Sequence, residues 1–433
     1  MAGLYVHIPF CVRKCGYCDF YSKSHSLHLM DAYLEALVAE AASIPPSVGA
    51  FLQVRPPKHV LARPKAASIP PSVGAFLQVR PPKHVLARPP SKNVIARPKA
   101  AAICPQAGQY RAPRFDSLYI GGGTPGLLGA AGLEQLMNGL SACLGLSNLG
   151  EATIEVNPDT ASREFLCAAL ACGINRLSIG VQSLHDDELT KSGRLHNSVQ
   201  ALAAIARALE CGFEDISADI IVGLPGQSLQ SLEDTLGRLV NSAVTHISAY
   251  CLSIEPGSGF AAHPPPDLPD DDAQAGLFEF AARYLKENGF VHYEISNFAR
   301  PGRECRHNLN YWRGGEYLGL GAGAASHLKG RRYKNAADLE GYIKAPLASQ
   351  CEAEELGAEA KSAEEAMLRL RLLEEGLDIS GLAARYGKAD TDRLNRRLDK
   401  LADDNMLARE GTRYRLPPER VMTSNLVFIE VIN

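Results

Sequence analysis

Three cysteines fall within eight residues, in the run Cys11-Val12-Arg13-Lys14-Cys15-Gly16-Tyr17-Cys18. Thiolates at this C-x3-C-x2-C spacing can wrap one small loop around a metal centre. A structural zinc site takes four ligands, and no fourth cysteine or histidine follows closely; the position two beyond the triplet is Phe20. Ordinary [4Fe–4S] electron carriers also use four cysteines. Three thiolates leave one iron of a cube open, where a substrate or cofactor can bind.

The surrounding pattern shows what positions this loop. Leu4–His7 reads as a short apolar strand directly before the triplet, and Asp31–Glu40 has helical spacing. Further strands are predicted at 117–120, 152–156, 176–179, 216–222 and 246–254, with helices at 132–143, 162–171, 197–211 and 229–241. Short buried strands alternating with helices predict βαβ units and parallel strands. The polar and glycine-rich motifs follow strand ends: Cys11–Cys18, Gly121–Pro125, Asn157, Gln182 and Gly223–Gly226. In barrel-like α/β folds that is the active face. No G-x-G-x-x-G follows the first strand, which disfavours a dinucleotide fold. The expected class is therefore α/β, a partial (β/α)6 TIM-like barrel. From about Glu364 the texture changes to apolar helices, then a small hairpin around Glu410-Gly411-Thr412, which predicts a winged-helix-like C-terminal module that packs on its neighbour.

Charge looks balanced, with 45 Lys+Arg against 48 Asp+Glu in 433 residues. The balance hides an asymmetry. Residues 41–112 hold eleven basic side chains, no acidic one and 13 of the 27 prolines. Ala41–Pro64 recurs letter for letter as Ala66–Pro89. Proline-rich, acid-free sequence favours an extended, solvated insertion, and the scarcity of aromatics argues against nucleic-acid binding. The domains expected are a barrel from 1–40 and 113–260, a flexible insertion at 41–112, a region at 261–362 completing the barrel, and the module at 363–433. No apolar run reaches the ~18 residues of a membrane span. The N-terminus lacks a signal-peptide pattern, so eleven cysteines point to a reducing cytoplasm.

On the cysteine triplet and the ordered motifs, the chain resembles the radical S-adenosylmethionine (SAM) superfamily. Within it the likeness is to the oxygen-independent coproporphyrinogen III oxidase-like family, including its haem-chaperone branch. The resemblance covers nearly everything outside the insertion. It implies a [4Fe–4S] cluster on Cys11, Cys15 and Cys18, with SAM chelating the open iron. Tyr5 matches the family lead-in to the triplet, and Tyr17 the aromatic near adenine. Gly122, Gly123 and Thr124 match a GGTP turn, where glycine lets backbone approach the methionine amine. Glu155 stands at a strand end and Gln182 offers an amide. Arg194 can fork onto a carboxylate, and Asp219 can accept ribose hydroxyls.

Members that oxidise coproporphyrinogen III carry a further cysteine where this chain has Phe20, so the resemblance is to the chaperone branch. The run His307-Asn308-Leu309-Asn310-Tyr311-Trp312 matches that branch's HNxxYW motif and implies haem contacts at His307, Tyr311 and Trp312. The expected function is a haem chaperone delivering haem to respiratory haem proteins. The alternative is a porphyrin-biosynthetic oxidase that converts propionates to vinyls, an enzyme activity the chain is expected to lack. The resemblance also implies a homodimer and peripheral membrane association through the recipients, and no nucleic-acid partner.

Overall fold

The computed structural model describes residues 2–24, 26–44 and 115–432. The expected insertion at 41–112 lies outside the described residues, except for its first four.

Six strands form in the order read from the sequence: β1 (Ala2–Ile8), β2 (Phe115–Gly122), β3 (Glu151–Val156), β4 (Arg176–Gln182), β5 (Asp215–Val222) and β6 (His246–Cys251). Each pairs in parallel with the next. Leu4, Val6, Ile8, Leu118, Ile120, Ile154, Leu177 and Ile179 are fully buried; they alternate along the strands on the face covered by the crossover helices, while the residues between them point to the barrel interior. The crossovers are α1 (Met30–Ser43), α2 (Gly129–Leu144), α3 (Arg163–Ala171), the short α4 (Asp186–Lys191) with α5 (Ser198–Cys211), and α6 (Leu229–Val240). Their starts follow cap chemistry. Ser162 accepts from the Phe165 amide, and Asn197 with Gln200 forms a reciprocal capping box.

Residues beyond β6 extend the sheet at both edges. After α7 (Gly259–Ala262) and α8 (Asp271–Glu287), the hairpin β7 (Val291–Glu294) and β8 (Asn297–Ala299) pairs antiparallel on β6. Helix α9 (Arg306–Trp312) then leads to β9 (Glu316–Leu320), which lies parallel to β1. Antiparallel β10 (Ala325–Leu328), β11 (Arg331–Asn335) and β12 (Gln350–Glu355) follow outward, α10 (Leu339–Lys344) sitting between the last two. The result is one open 12-stranded sheet curved as a partial barrel.

The C-terminal module has helices α11 (Ala358–Leu370), α12 (Ile379–Tyr386), α13 (Lys388–Asp403) and α14 (Ser424–Ile432). Its predicted hairpin is Ala408–Glu410 paired with Arg413–Arg415, joined by a third strand, Leu377–Asp378. No helix among the described residues is long and apolar enough to cross a membrane.

Candidate functional site

The cysteine loop leaves the end of β1 and is pinned from four sides. The Cys11 amide donates to the Lys23 carbonyl (3.3 Å), Lys23 to Pro9 (2.7 Å), Gly16 to Ser192 (3.1 Å), and Phe260 to Gly16 (2.7 Å). Glycine is required at 16, since a Cβ there would stand 2.3 Å from the Phe260 ring. It is equally required at 123, where a Cβ would meet the Phe10 carbonyl at 2.5 Å and Cys11 Sγ at 3.0 Å. Thr124 Oγ1 lies 3.6 Å from Cys11 Sγ, and Arg194 Nη1 lies 3.6 Å from Cys15 Sγ. Among the described residues no three His, Cys, Asp or Glu side chains converge on one ion. Three thiols bordering one cavity whose wall is kept open by glycine fit a cluster held by three protein ligands.

Cys11, Cys15 and Cys18 border a cavity of about 280 Å³ at the carboxyl ends of the strands. Tyr5, Tyr17, Gly122, Gly123, Thr124, Glu155, Gln182, Arg194, Asp219, His307 and Tyr311 line it as well. Its volume is just below the ~300–1,000 Å³ typical of small-molecule sites.

Inside it the polar groups are held by one another. Glu155 accepts from the Tyr119 hydroxyl (2.8 Å) and the Gly122 amide (3.0 Å). Burial pushes its carboxyl up to about 7, and nearby Asp219 adds to the rise. Asp219 accepts from Ser178 (2.7 Å) and Ser217 (3.2 Å), yet burial still raises its titration. Arg194 Nη2 donates to Asn157 Oδ1 (2.8 Å) and the Gly180 carbonyl (2.9 Å), while its buried Nε has no hydrogen-bond partner. Arg194 lines the cavity, and a buried guanidinium donor without a partner fits an anionic ligand group such as a carboxylate. Gln182 adopts φ +65°, where β4 slips register against β5. For a non-glycine residue that is an uncommon conformation, and it marks the point where the strand releases this side chain into the site.

One site residue was not picked out by the sequence motifs. Tyr119 sits opposite Tyr5 in parallel register, and that pairing was the signal for it. Asn157 joins Thr124, through Nδ2 (3.2 Å), to Arg194.

The haem motif divides. His307 and Tyr311 line the cavity, but the His307 ring is only 1% exposed. Its Nδ1 is hydrogen-bonded to Ser117 Oγ and its Nε2 to Tyr311 Oη, both at 2.8 Å. Burial lowers its titration to about 3. As arranged, neither nitrogen is open to an iron. Trp312 is fully buried behind the site, under the Arg371 guanidinium at 4.2 Å from its ring centroid. Phe20 lines the cavity and is 43% exposed.

A model of the Radical SAM superfamily matches residues 100–239, and one of the HemN C-terminal domain matches 357–420. The heme chaperone HemW of Lactococcus lactis is 31% identical over 371 residues, 85% of this chain and 80% of that protein. The heme chaperone HemW of Bacillus subtilis is 30% identical over 439 residues, 99% of this chain and 98% of that protein. The chain belongs to the HemW family of radical SAM proteins. The structure of coproporphyrinogen III oxidase (HemN) from Escherichia coli superposes with a TM-score of 0.74 at 20% identity, covering 100% of this chain and 90% of that one. At that identity it shows the shared fold: the radical SAM partial barrel and C-terminal module expected from the sequence. The superfamily match begins at residue 100, after the cysteine loop.

Proposed function

We propose that this protein is a haem chaperone of the radical SAM type, which binds haem and hands it to respiratory haem proteins in the cytoplasm. The observation that carries the reading is nearly full-length similarity to proteins named heme chaperone HemW, in a chain whose cluster and SAM candidates all border one cavity. Cys11, Cys15 and Cys18 would hold a [4Fe–4S] cluster, and that cluster would offer an open iron to the amino and carboxylate groups of SAM. The rest is done by the chain. Arg194 presents its unpartnered Nε to the SAM carboxylate, Glu155 draws the cationic end, and Asp219 receives ribose hydroxyls. Gly122 and Gly123 keep the wall free of side chains.

For His307 to ligate haem iron it would have to release either Ser117 from Nδ1 or Tyr311 from Nε2. Trp312 supports helix α9 from behind. Phe20, where the oxidases carry cysteine, gives the rim an apolar face for a macrocycle. The test is an anaerobic reaction of the cluster-loaded protein with coproporphyrinogen III, alongside transfer of bound haem to an apo respiratory haem protein. Transfer without protoporphyrinogen formation supports the chaperone reading; protoporphyrinogen formation contradicts it.

A further inference from the structure

Away from the cavity, helices α3 and α5 lie side by side on the outer face of the barrel and bring two cysteines together. Cys167 Sγ and Cys211 Sγ are 2.6 Å apart although 44 residues separate them in sequence. Both are free thiols; Cys167 is exposed and Cys211 half-buried. The Arg163–Glu210 ion pair (2.5 Å) bridges the same two helices, and Cys211 Sγ lies 3.7 Å from the Arg163 carbonyl. One turn before Cys211, Arg207 Nε donates to the Ala161 carbonyl (2.9 Å) and its Nη2 to Pro158 (3.5 Å). Those carbonyls belong to the loop that begins at Asn157, the residue holding both Thr124 and Arg194.

We propose that Cys167 and Cys211 form a reversible disulfide that clamps α3 to α5 and so stiffens the Asn157 loop. The 2.6 Å separation of the two sulfurs is already close to the ~2.05 Å length of a disulfide bond. Glutathione disulfide is the oxidant. The exposed Cys167 thiolate attacks one of its sulfurs and releases a glutathione thiolate, leaving a mixed disulfide. The Cys211 thiolate then attacks Cys167 Sγ and releases the second glutathione. Two cysteine thiols lose two electrons and two protons; one glutathione disulfide becomes two glutathione thiols.

The experiment uses the full chain with its cluster loaded, so that Cys11, Cys15 and Cys18 are engaged. The protein is equilibrated anaerobically in glutathione buffers of increasing oxidised fraction, quenched by alkylation and mapped by peptide mass. Cys167 and Cys211 should lose alkylation together, appear as one linked peptide pair, and return with dithiothreitol. Cys167→Ser and Cys211→Ser should each abolish the linked pair and leave the remaining thiol glutathionylated. Amide exchange over residues 159–161 should slow in the oxidised wild type. Full alkylation of both thiols in the most oxidising buffer, or linkage through other cysteines, overturns the disulfide. Unchanged exchange over 159–161 overturns the clamp.

Discussion

Tyr119 donates its phenolic hydroxyl to Glu155 Oε1 at 2.8 Å, a bond that eases ionisation of a carboxyl whose titration burial raises. The neighbouring His307 ring stacks on Tyr119 with centroids 5.3 Å apart. One contact line therefore runs from the candidate haem residue to the candidate SAM carboxylate.

The Glu155 carboxyl stands at about 7 rather than 4.5, raised chiefly by burial. A cationic ligand favours the ionised form, so SAM affinity of the cluster-loaded protein should rise as pH increases through about 7. Tyr119→Phe removes a bond that lowers this value and should move the midpoint upward. Calorimetric titration on both sides of neutrality checks it. The same shift makes the folded state hold its proton longer than the unfolded chain. Its stabilising contribution is therefore full below about 4.5 and is lost as pH rises through about 7.

Arg194→Lys keeps the charge but removes the fork that reaches Asn157 and Gly180 while leaving Nε for a ligand. SAM binding should weaken by about 1.5–3 kcal/mol, roughly tenfold to a hundredfold. Equilibrium binding measured at unchanged iron content checks this.

Glu40, at the end of α1, accepts from the Gly321 amide (2.9 Å), Asn335 Nδ2 (2.7 Å) and the Tyr342 hydroxyl (2.6 Å). It fixes the last turn before residues 45–114 to the far edge of the sheet. Glu40→Ala strands three buried donors and should cost about 3–5 kcal/mol. Glu40→Gln, which keeps an acceptor, should cost less. Urea denaturation reads the difference.

Arg371 is 1% exposed; it lies over Trp312 and 3.7 Å from buried Glu294. It joins the C-terminal module to β7. Arg371→Met leaves Glu294 buried without its cation and should destabilise by about 3–5 kcal/mol. Adding Glu294→Gln should recover part of that loss. SAM binding should not change in either variant, because none of the three side chains lines the cavity. Thermal denaturation and SAM titration of the same samples separate the two effects.

The six parallel strands and the order of the site motifs were legible because buried strands of four to eight residues punctuated by glycine carry a strong pattern. The outer strands were not. β12 is Gln350–Glu355, almost wholly exposed and without a large apolar side chain, and β8 has three residues, so neither carries a strong strand signal. Long-range caps were equally hidden: Glu151 on β3 accepts from the Arg306 and His307 amides that begin α9. Trp312 was grouped with His307 and Tyr311 by adjacency, but helical geometry separates them. His307 and Tyr311 are four residues apart and share a face, whereas Trp312 turns away toward Arg371.

The most direct test is an anaerobic haem titration of the cluster-loaded protein followed at the Soret band, with wild type, His307→Ala and Tyr311→Phe run in parallel. The account predicts a saturable band in wild type, a shifted and weakened one in His307→Ala, and tighter binding in Tyr311→Phe, where Nε2 is released from its hydroxyl partner. A wild type that shows no Soret shift contradicts the chaperone reading. A His307→Ala spectrum identical to wild type contradicts His307 as the ligand.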